Sequence, residues 1–325
     1  MMWIWMSVAC LVAGLGQSSV APSPAKGAGA DSAAMRVGVL TFNLRYGTAP
    51  DKENAWPQRK DQVFDILRDE RLGIIGLQEA LRDQLDDIHA ACPKLGEIGV
   101  GREDGKQKGE YAAILYRTDQ WNLVKSGTFW LSETPETPGS MSWKTACTWV
   151  CTWAKFGRVG SPESATGGAA LAKHEDSNVL WVFNTHMDHV SAEARSKGAR
   201  LIARHIADRG DANPFVLTGD FNSGEDEAAA RYFLSPPSEG EDKSPIGKLV
   251  DTFRALHADE KVFSTFHAFH PERTTGKKID YVLVPPGTKV IESWIDRRYK
   301  EGPPVVSPSD HFAVGTIVEF PEPGK

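Results

Sequence analysis

Pro214-Phe-Val-Leu-Thr-Gly-Asp-Phe-Asn222 decides how the rest of the chain is read. Its β-forming residues lead to Gly219 and then at once to a carboxylate, the pattern of a buried strand that ends at a functional loop. Asp220 and Asn222 stand two apart, so an extended backbone aims both side chains the same way. A carboxylate and a carboxamide facing one spot can orient a water and hold an oxyanion. For this stretch alone, an Asx-turn after a strand is the plainer alternative.

The same device recurs along the chain. Val179-Leu-Trp-Val-Phe runs into Asn184-Thr-His186, again with two polar groups two apart at a strand end. Gly73-Ile-Ile-Gly-Leu-Gln-Glu79 finishes an apolar run with a carboxylate, and Arg36-Val-Gly-Val-Leu-Thr-Phe-Asn43 finishes one with an amide. Lys278-Ile-Asp280-Tyr281 sets an acid at the start of a strand, and Asp310-His311 does so before Phe312-Ala-Val-Gly-Thr-Ile-Val318. Strand tips rich in Asn, Glu, His and Asp point to a shared catalytic centre.

Composition bounds the alternatives. The chain has 325 residues, 41% of them hydrophobic and 25% charged, ordinary values for a globular protein with an ample core. With no internal repeat and no long linker after Met35, residues 35–325 are expected to form one domain. A formal net charge of -6 and the lack of any Lys/Arg-rich run weigh against tight nonspecific nucleic-acid binding. Residues 1–34 differ in kind: an apolar stretch to Gly16 and then a small-residue tract, read as a secretory signal and linker. The protein is therefore expected to be exported, to the periplasm or beyond, without a lipid anchor. Apart from Cys10 in that leader, Cys92, Cys147 and Cys151 are an odd number with no zinc-site spacing, so buried, inert thiols are expected rather than a disulfide framework.

Periodicity predicts strands at 35–43, 73–79, 111–117, 121–131, 147–156, 179–185, 214–219, 279–284 and 312–319. Helices are predicted near 57–70, with Val63, Ile66 and Leu67 on one face, over the segment of Leu81, Leu85 and Ile88, and from a Ser191 cap to about Arg209. An α/β fold of two packed mixed sheets flanked by helices follows from this alternation.

The stretches Thr41-Phe-Asn-Leu-Arg-Tyr-Gly47, Gly76-Leu-Gln-Glu-Ala80, Phe183-Asn-Thr-His-Met-Asp-His189, Leu217-Thr-Gly-Asp-Phe-Asn222, Lys278-Ile-Asp-Tyr281 and Ser309-Asp-His-Phe312 occur in the order found in one superfamily. From about Arg36 to Phe320 the chain resembles the endonuclease/exonuclease/phosphatase superfamily. Asn54-Ala-Trp-Pro-Gln-Arg-Lys60, Gly127-Thr-Phe-Trp-Leu-Ser-Glu133 and Thr265-Phe-His-Ala-Phe269 look like its bacterial secreted branch. The resemblance implies a four-layer α/β sandwich and a metal-dependent phosphoesterase. It also exposes a departure: where related sequences tend to carry Arg, this chain has Trp149, which should alter the grip on substrate.

Hydrolysis of a phosphate ester needs shielding of negative charge, an aimed water and a stabilised leaving oxygen. On the resemblance, Glu79 with Asn43 is the expected ligand set for Mg²⁺ or Mn²⁺, and Asp310 adds a contact in some states. Asp220 is expected to orient or deprotonate the water and Asn222 to hold a nonbridging oxygen. His186 is expected to donate to the phosphate or leaving oxygen, while Asp280 fixes the tautomer of His311 and favours its imidazolium. Arg45 and Asn184 are candidate substrate contacts. Asp188 and His189 read as a turn and a solvated face, and His267 as a residue of the substrate cleft. The leading expectation is a phosphoesterase acting on a small or lipid-linked ester, with no stable protein partner and a monomeric state. An extracellular nuclease and a noncatalytic binding protein on the same scaffold are the alternatives.

Overall fold

A computed structural model describes residues 34–160, 178–235 and 243–321. The expected leader lies outside the described residues, save Ala34. The chain alternates β1 (Met35–Asn43), α1 (Trp56–Leu67), β2 (Leu72–Ala80), α2 (Arg82–Ala91), β3 (Leu95–Ile98), β4 (Tyr111–Arg117), β5 (Trp121–Trp130), β6 (Val150–Arg158) and β7 (Val179–His186). Then come α3 (Ala192–Ala207), β8 (Phe215–Asp220), α4 (Ala228–Leu234), β9 (Val250–Asp251), α5 (Thr252–Leu256), β10 (Asp280–Val284), β11 (Lys289–Asp296) and β12 (Ala313–Phe320). Among the described residues these strands form two six-stranded mixed sheets, ordered β11-β12-β1-β2-β4-β3 and β5-β6-β7-β8-β10-β9. None of the described helices is long and apolar enough to cross a membrane.

Each strand alternates its side chains between two faces, and three apolar layers result. Leu40, Phe42, Ile75 and Leu77 on the outer face of the first sheet pack against Val63, Ile66 and Leu67 of α1 and Leu85 and Ile88 of α2. Trp181, Phe183, Phe215 and Leu217 on the outer face of the second receive Ile202 and Ile206 of α3 and Phe233 of α4. Between the sheets lie Val37, Val39, Ile74, Phe156, Val182, Val216 and Val282. This is the expected four-layer sandwich. Ser191 caps α3 as predicted, its side chain accepting from Ala194 N.

The row of inward side chains changes character along its length. Val39 gives way to Thr41 and Asn43, Val182 to Asn184 and His186, and Val216 to Thr218 and Asp220, all buried. Because β1 runs parallel to β2 and β7 parallel to β8, these polar ends gather at one end of the inter-sheet space. Gly76 allows the sheets to meet there, since a Cβ at this position would lie 2.4 Å from Thr218 Oγ1 and 2.5 Å from Asn184 Oδ1.

Candidate active site

The polar end of the inter-sheet space opens as a cleft of about 410 Å³ lined by Arg45, Glu79, Arg102, Glu110, Trp149, His186, Asp220, Asn222, Phe266, Asp310 and His311, among others. Asp220 ends β8 and lies beside His186 of β7 and Asp280 of β10 in register. Its Oδ2 accepts from Asn43 Nδ2 at 3.0 Å and lies 3.5 Å from His186 Nε2 and 3.8 Å from His311 Nε2. Its Oδ1 accepts from the Asn222 backbone N–H at 2.8 Å. The Asx-turn is thus present, and it serves the site: Asn222 takes φ 47, and its amide reaches His186. Burial, and then the neighbouring Asp280, push the Asp220 carboxyl well above the usual carboxylate range.

The two histidines are driven apart. Burial, then the charges of Arg102 and His311, hold His186 well below its ordinary value. Asn222 Nδ2 donates to His186 Nε2 at 3.0 Å and to the Met187 carbonyl at 2.9 Å, and the second bond fixes which end of the amide is nitrogen. His186 Nε2 is therefore an acceptor in this arrangement, whereas it was expected to be a donor. For His311 burial pulls downward, but Asp280 and Asp220 hold the imidazolium up to about 10. Asp280 Oδ2 lies 3.0 Å from His311 Nδ1, which leaves Nε2 aimed at Asp220. Opposed shifts on neighbouring groups are how one site keeps a base and an acid at the same pH.

On the other wall, Glu79 stands at φ 58 where the β2 pairing slips. One of its oxygens accepts from Asn43 Nδ2 at 3.0 Å, the other from Tyr46 N at 3.2 Å. Asn43 thus bridges Glu79 and Asp220, while its own oxygen accepts from Arg45 N at 2.9 Å. The Asp310 carboxyl is raised by burial and then by Glu79, with His311 and Arg45 opposing. Arg45 is held by Asp51 through Nε at 3.0 Å and Nη2 at 3.1 Å, with Asp310 3.9 Å away. Positive φ at Arg45, Glu79 and Asn222 concentrates backbone strain in the cleft, of order 1–3 kcal/mol each. The fully buried Arg59 secures this wall by donating to the carbonyls of Leu44, Arg45, Asn54 and Pro308.

The carboxylate oxygens of Glu79 and Asp310 suit a hard divalent cation, whose charge would relieve their mutual repulsion. Asn43, expected as a co-ligand, instead turns Nδ2 toward Glu79 and Asp220 while its Oδ1 accepts from Arg45 N, so it orients these carboxylates. Asp220, Asp280 and His311 also bring ligand atoms within 4.8 Å of one another, a second arrangement a metal ion could use.

Several expectations are corrected. Asn184 does not reach the cleft: its Nδ2 donates to the carbonyls of Leu77 and Ala113 at 2.8 Å, and its Oδ1 accepts from Gln78 at 2.7 Å and Thr218 at 3.0 Å. With its bonding capacity filled, it clasps the two sheets and leaves nothing for substrate. Asp188 is buried rather than solvated, and accepts from Val190 N, Ser191 N, Ala146 N and Trp149 Nε1. His267 does not line the cleft: it is buried and packs at a tilt on Phe312, with ring centroids 4.1 Å apart. Strand β6 begins at Val150, leaving Cys147 in the loop beside the cleft; the described cysteines are all free.

The reading from strand tips also missed cleft residues carried by loops. Phe266 packs on His311 with ring centroids 4.9 Å apart and the planes tilted by 58°, while remaining 45% exposed at the mouth. Arg102 and Glu110 pair at 2.8 Å, and burial pushes the Glu110 carboxyl up to about 7. Glu110 stands just before the apolar run of β4, a signal of the same kind as Asp280 before β10.

The sequence profile described as the Endonuclease/Exonuclease/phosphatase family matches residues 40–311. Among solved structures, the endonuclease/exonuclease/phosphatase from Bacteroides vulgatus is 34% identical with a TM-score of 0.71, covering 88% of this chain and 100% of its own. A family protein from Bacteroides thetaiotaomicron is 30% identical with a TM-score of 0.73, covering 88% and 96%. A mannosyl-6-phosphatase from the same organism is 31% identical with a TM-score of 0.72, covering 87% and 100%. No curated protein matched the chain.

Proposed function

We propose, from this chain's membership of the endonuclease/exonuclease/phosphatase family, that it is a divalent-metal-dependent phosphoesterase acting on a small phosphate ester. The observation that carries the reading is Asp220 Oδ2, which faces Asn43, His186 and His311 within 3.0–3.8 Å in a cleft shared with Glu79 and Asp310. Mg²⁺ or Mn²⁺, held by Glu79 and Asp310 with Asn43 orienting Glu79, would shield the phosphoryl charge and polarise its oxygens. Asp220 orients the attacking water and takes its proton, a role suited to a carboxylate whose proton affinity has been raised. Asn222 positions His186 rather than holding a nonbridging oxygen, since both amide hydrogens are spent on His186 Nε2 and the Met187 carbonyl. The His311 imidazolium, steadied by Asp280, stabilises developing negative charge. His186, a neutral acceptor 3.5 Å from Asp220 Oδ2, receives the proton that Asp220 takes from the water and passes it to the leaving oxygen.

A compact cleft and the mannosyl-6-phosphatase neighbour at 31% identity favour a sugar phosphate over a polymer. The apolar leader supports an exported location, and the acidic net charge of -6 argues against a nuclease. The test is phosphate release by the purified full chain from sugar phosphates, a chromogenic monoester, a chromogenic diester and plasmid DNA, with Mg²⁺ and with chelator. Mg²⁺-dependent release from a sugar phosphate, lost on the order of 10²-fold or more in Glu79→Gln, is expected. Activity indifferent to chelator would reject the reading, and faster turnover of DNA would move it to the nuclease class.

A further inference from the structure

Trp149 occupies the position where a cation was expected, and the structure supplies one from elsewhere. The Arg102 guanidinium lies over the Trp149 ring, 4.7 Å from its centroid, while His186 meets the same ring edge-on at 4.5 Å. The indole cannot swing, because Nε1 donates to Asp188 at 2.8 Å and Asp188 is itself gripped by backbone N–H groups. The loop that carries Arg102 is equally fixed. Arg102 N donates to the Glu110 carbonyl at 3.0 Å, and Trp130 Nε1 donates to the Arg102 carbonyl at 2.6 Å. Gly101 must lack a side chain, since a Cβ there would lie 2.4 Å from the Lys108 carbonyl.

Arg102 differs from the other arginine of the cleft in what its donors do. Arg45 spends two N–H groups on Asp51, whereas among the described residues the Arg102 side chain donates only to Glu110, at 2.8 Å. An arginine fork has five donors, and stacking leaves its edge free. The remaining donors are those of a rigid cation in the cleft wall beside His186.

Resting on the phosphoesterase reading, we infer that Arg102 is the cation that holds the phosphoryl oxygens of the substrate, with Trp149 and Asp188 as its positioning residues. Its grip takes the place of the guanidinium expected where Trp149 stands. A phosphate forked by Arg102 stays within reach of His186 and Asp220, so the residue acts mainly on binding.

The experiment compares the full-length wild type with Arg102→Ala, Arg102→Lys and Trp149→Phe. For Arg102→Ala, KM should rise roughly 10- to 100-fold with a smaller change in kcat, and the inhibition constant of inorganic phosphate should rise in parallel. Lysine should restore only part, because an ammonium neither forks nor lies flat on an indole. Millimolar guanidinium should partly rescue the alanine variant but not wild type, an effect that loss of folding would not produce. Trp149→Phe, which keeps a shelf but loses the tether to Asp188, should show a smaller KM increase. A raised KM with unchanged phosphate inhibition would put Arg102 on the leaving group and overturn the assignment, as would kinetics indistinguishable from wild type. If wild type hydrolyses no ester, the functional reading falls by itself, and calorimetric titration with inorganic phosphate still decides: equal affinity in wild type and Arg102→Ala refutes the role of Arg102.

Discussion

The two halves of the inter-sheet space are built on the same strands yet held by different physics. At one end Val39, Ile74, Val182, Val216 and Val282 exclude water, and each side chain contributes roughly 1.5–3 kcal/mol through the area it buries. At the other end Asn43, Asn184, Thr218, Asp220 and Asp280 are just as buried but contribute only through partners. The apolar half is forgiving, because a smaller side chain loses area and little else. The polar half is not, because a missing partner strands a group that water cannot reach.

The sharpest test is Asp220→Asn. Hydrolysis should fall by about 10²–10⁴-fold, since water orientation and proton removal are lost together. In chelator, however, its melting temperature should not drop, because the change removes a charge crowded against Asp280 in a buried place. A large loss of stability would mean that this carboxylate is structural. Next is Asn184→Leu, which fits no partner's need and leaves the carbonyls of Leu77 and Ala113 without their donor. Denaturant unfolding should show a loss of roughly 3 kcal/mol or more. Val182→Ala, one step down the same row, should cost only about 2 kcal/mol; parity with Asn184→Leu would erase the contrast.

The smallest effect belongs to Asp188, outside both halves. Burial alone would raise its carboxyl, but the N–H groups of Ser191, Ala146 and Val190 and the Trp149 indole outweigh that and hold it below the usual carboxylate range. A depressed acid adds stability that is present above its unfolded value and lost as pH falls through the folded one. Asp188→Asn should therefore cost about 1 kcal/mol at neutral pH and give a flatter stability profile below pH ~4 than wild type, read by thermal melts across pH.

Much of this was legible in the chain because strand tips carry a double signal, an apolar run followed by a polar group, as at Glu79, His186 and Asp220. Long, strongly patterned elements such as β1, β7, α3 and β12 follow from period alone. What was hidden has local causes. Strand β11, Lys289–Asp296, is a half-exposed edge whose alternation is blurred, β3 is four residues with a glycine, and β9 is two residues long. Helices α4 and α5, of seven and five residues, are too short to show a face. Asn184 misled because side chains two apart share a face but not a depth: His186 reaches the opening and Asn184 stays beneath it. Arg102 could not be seen at all from strand logic, since a turn-rich loop brings it across sequence distance to Trp149.

The groups proposed to act in the cleft are divided between the layers. Asn43, Glu79, Asp310 and His311 flank strands of the first sheet, whereas His186, Asp220, Asn222 and Asp280 belong to the second. On the proposed function, a chain caught during refolding with either layer assembled alone owns half of this set and should turn over nothing. Recovery of enzymatic signal should consequently lag recovery of strand content, and its time course would clock the moment the layers dock.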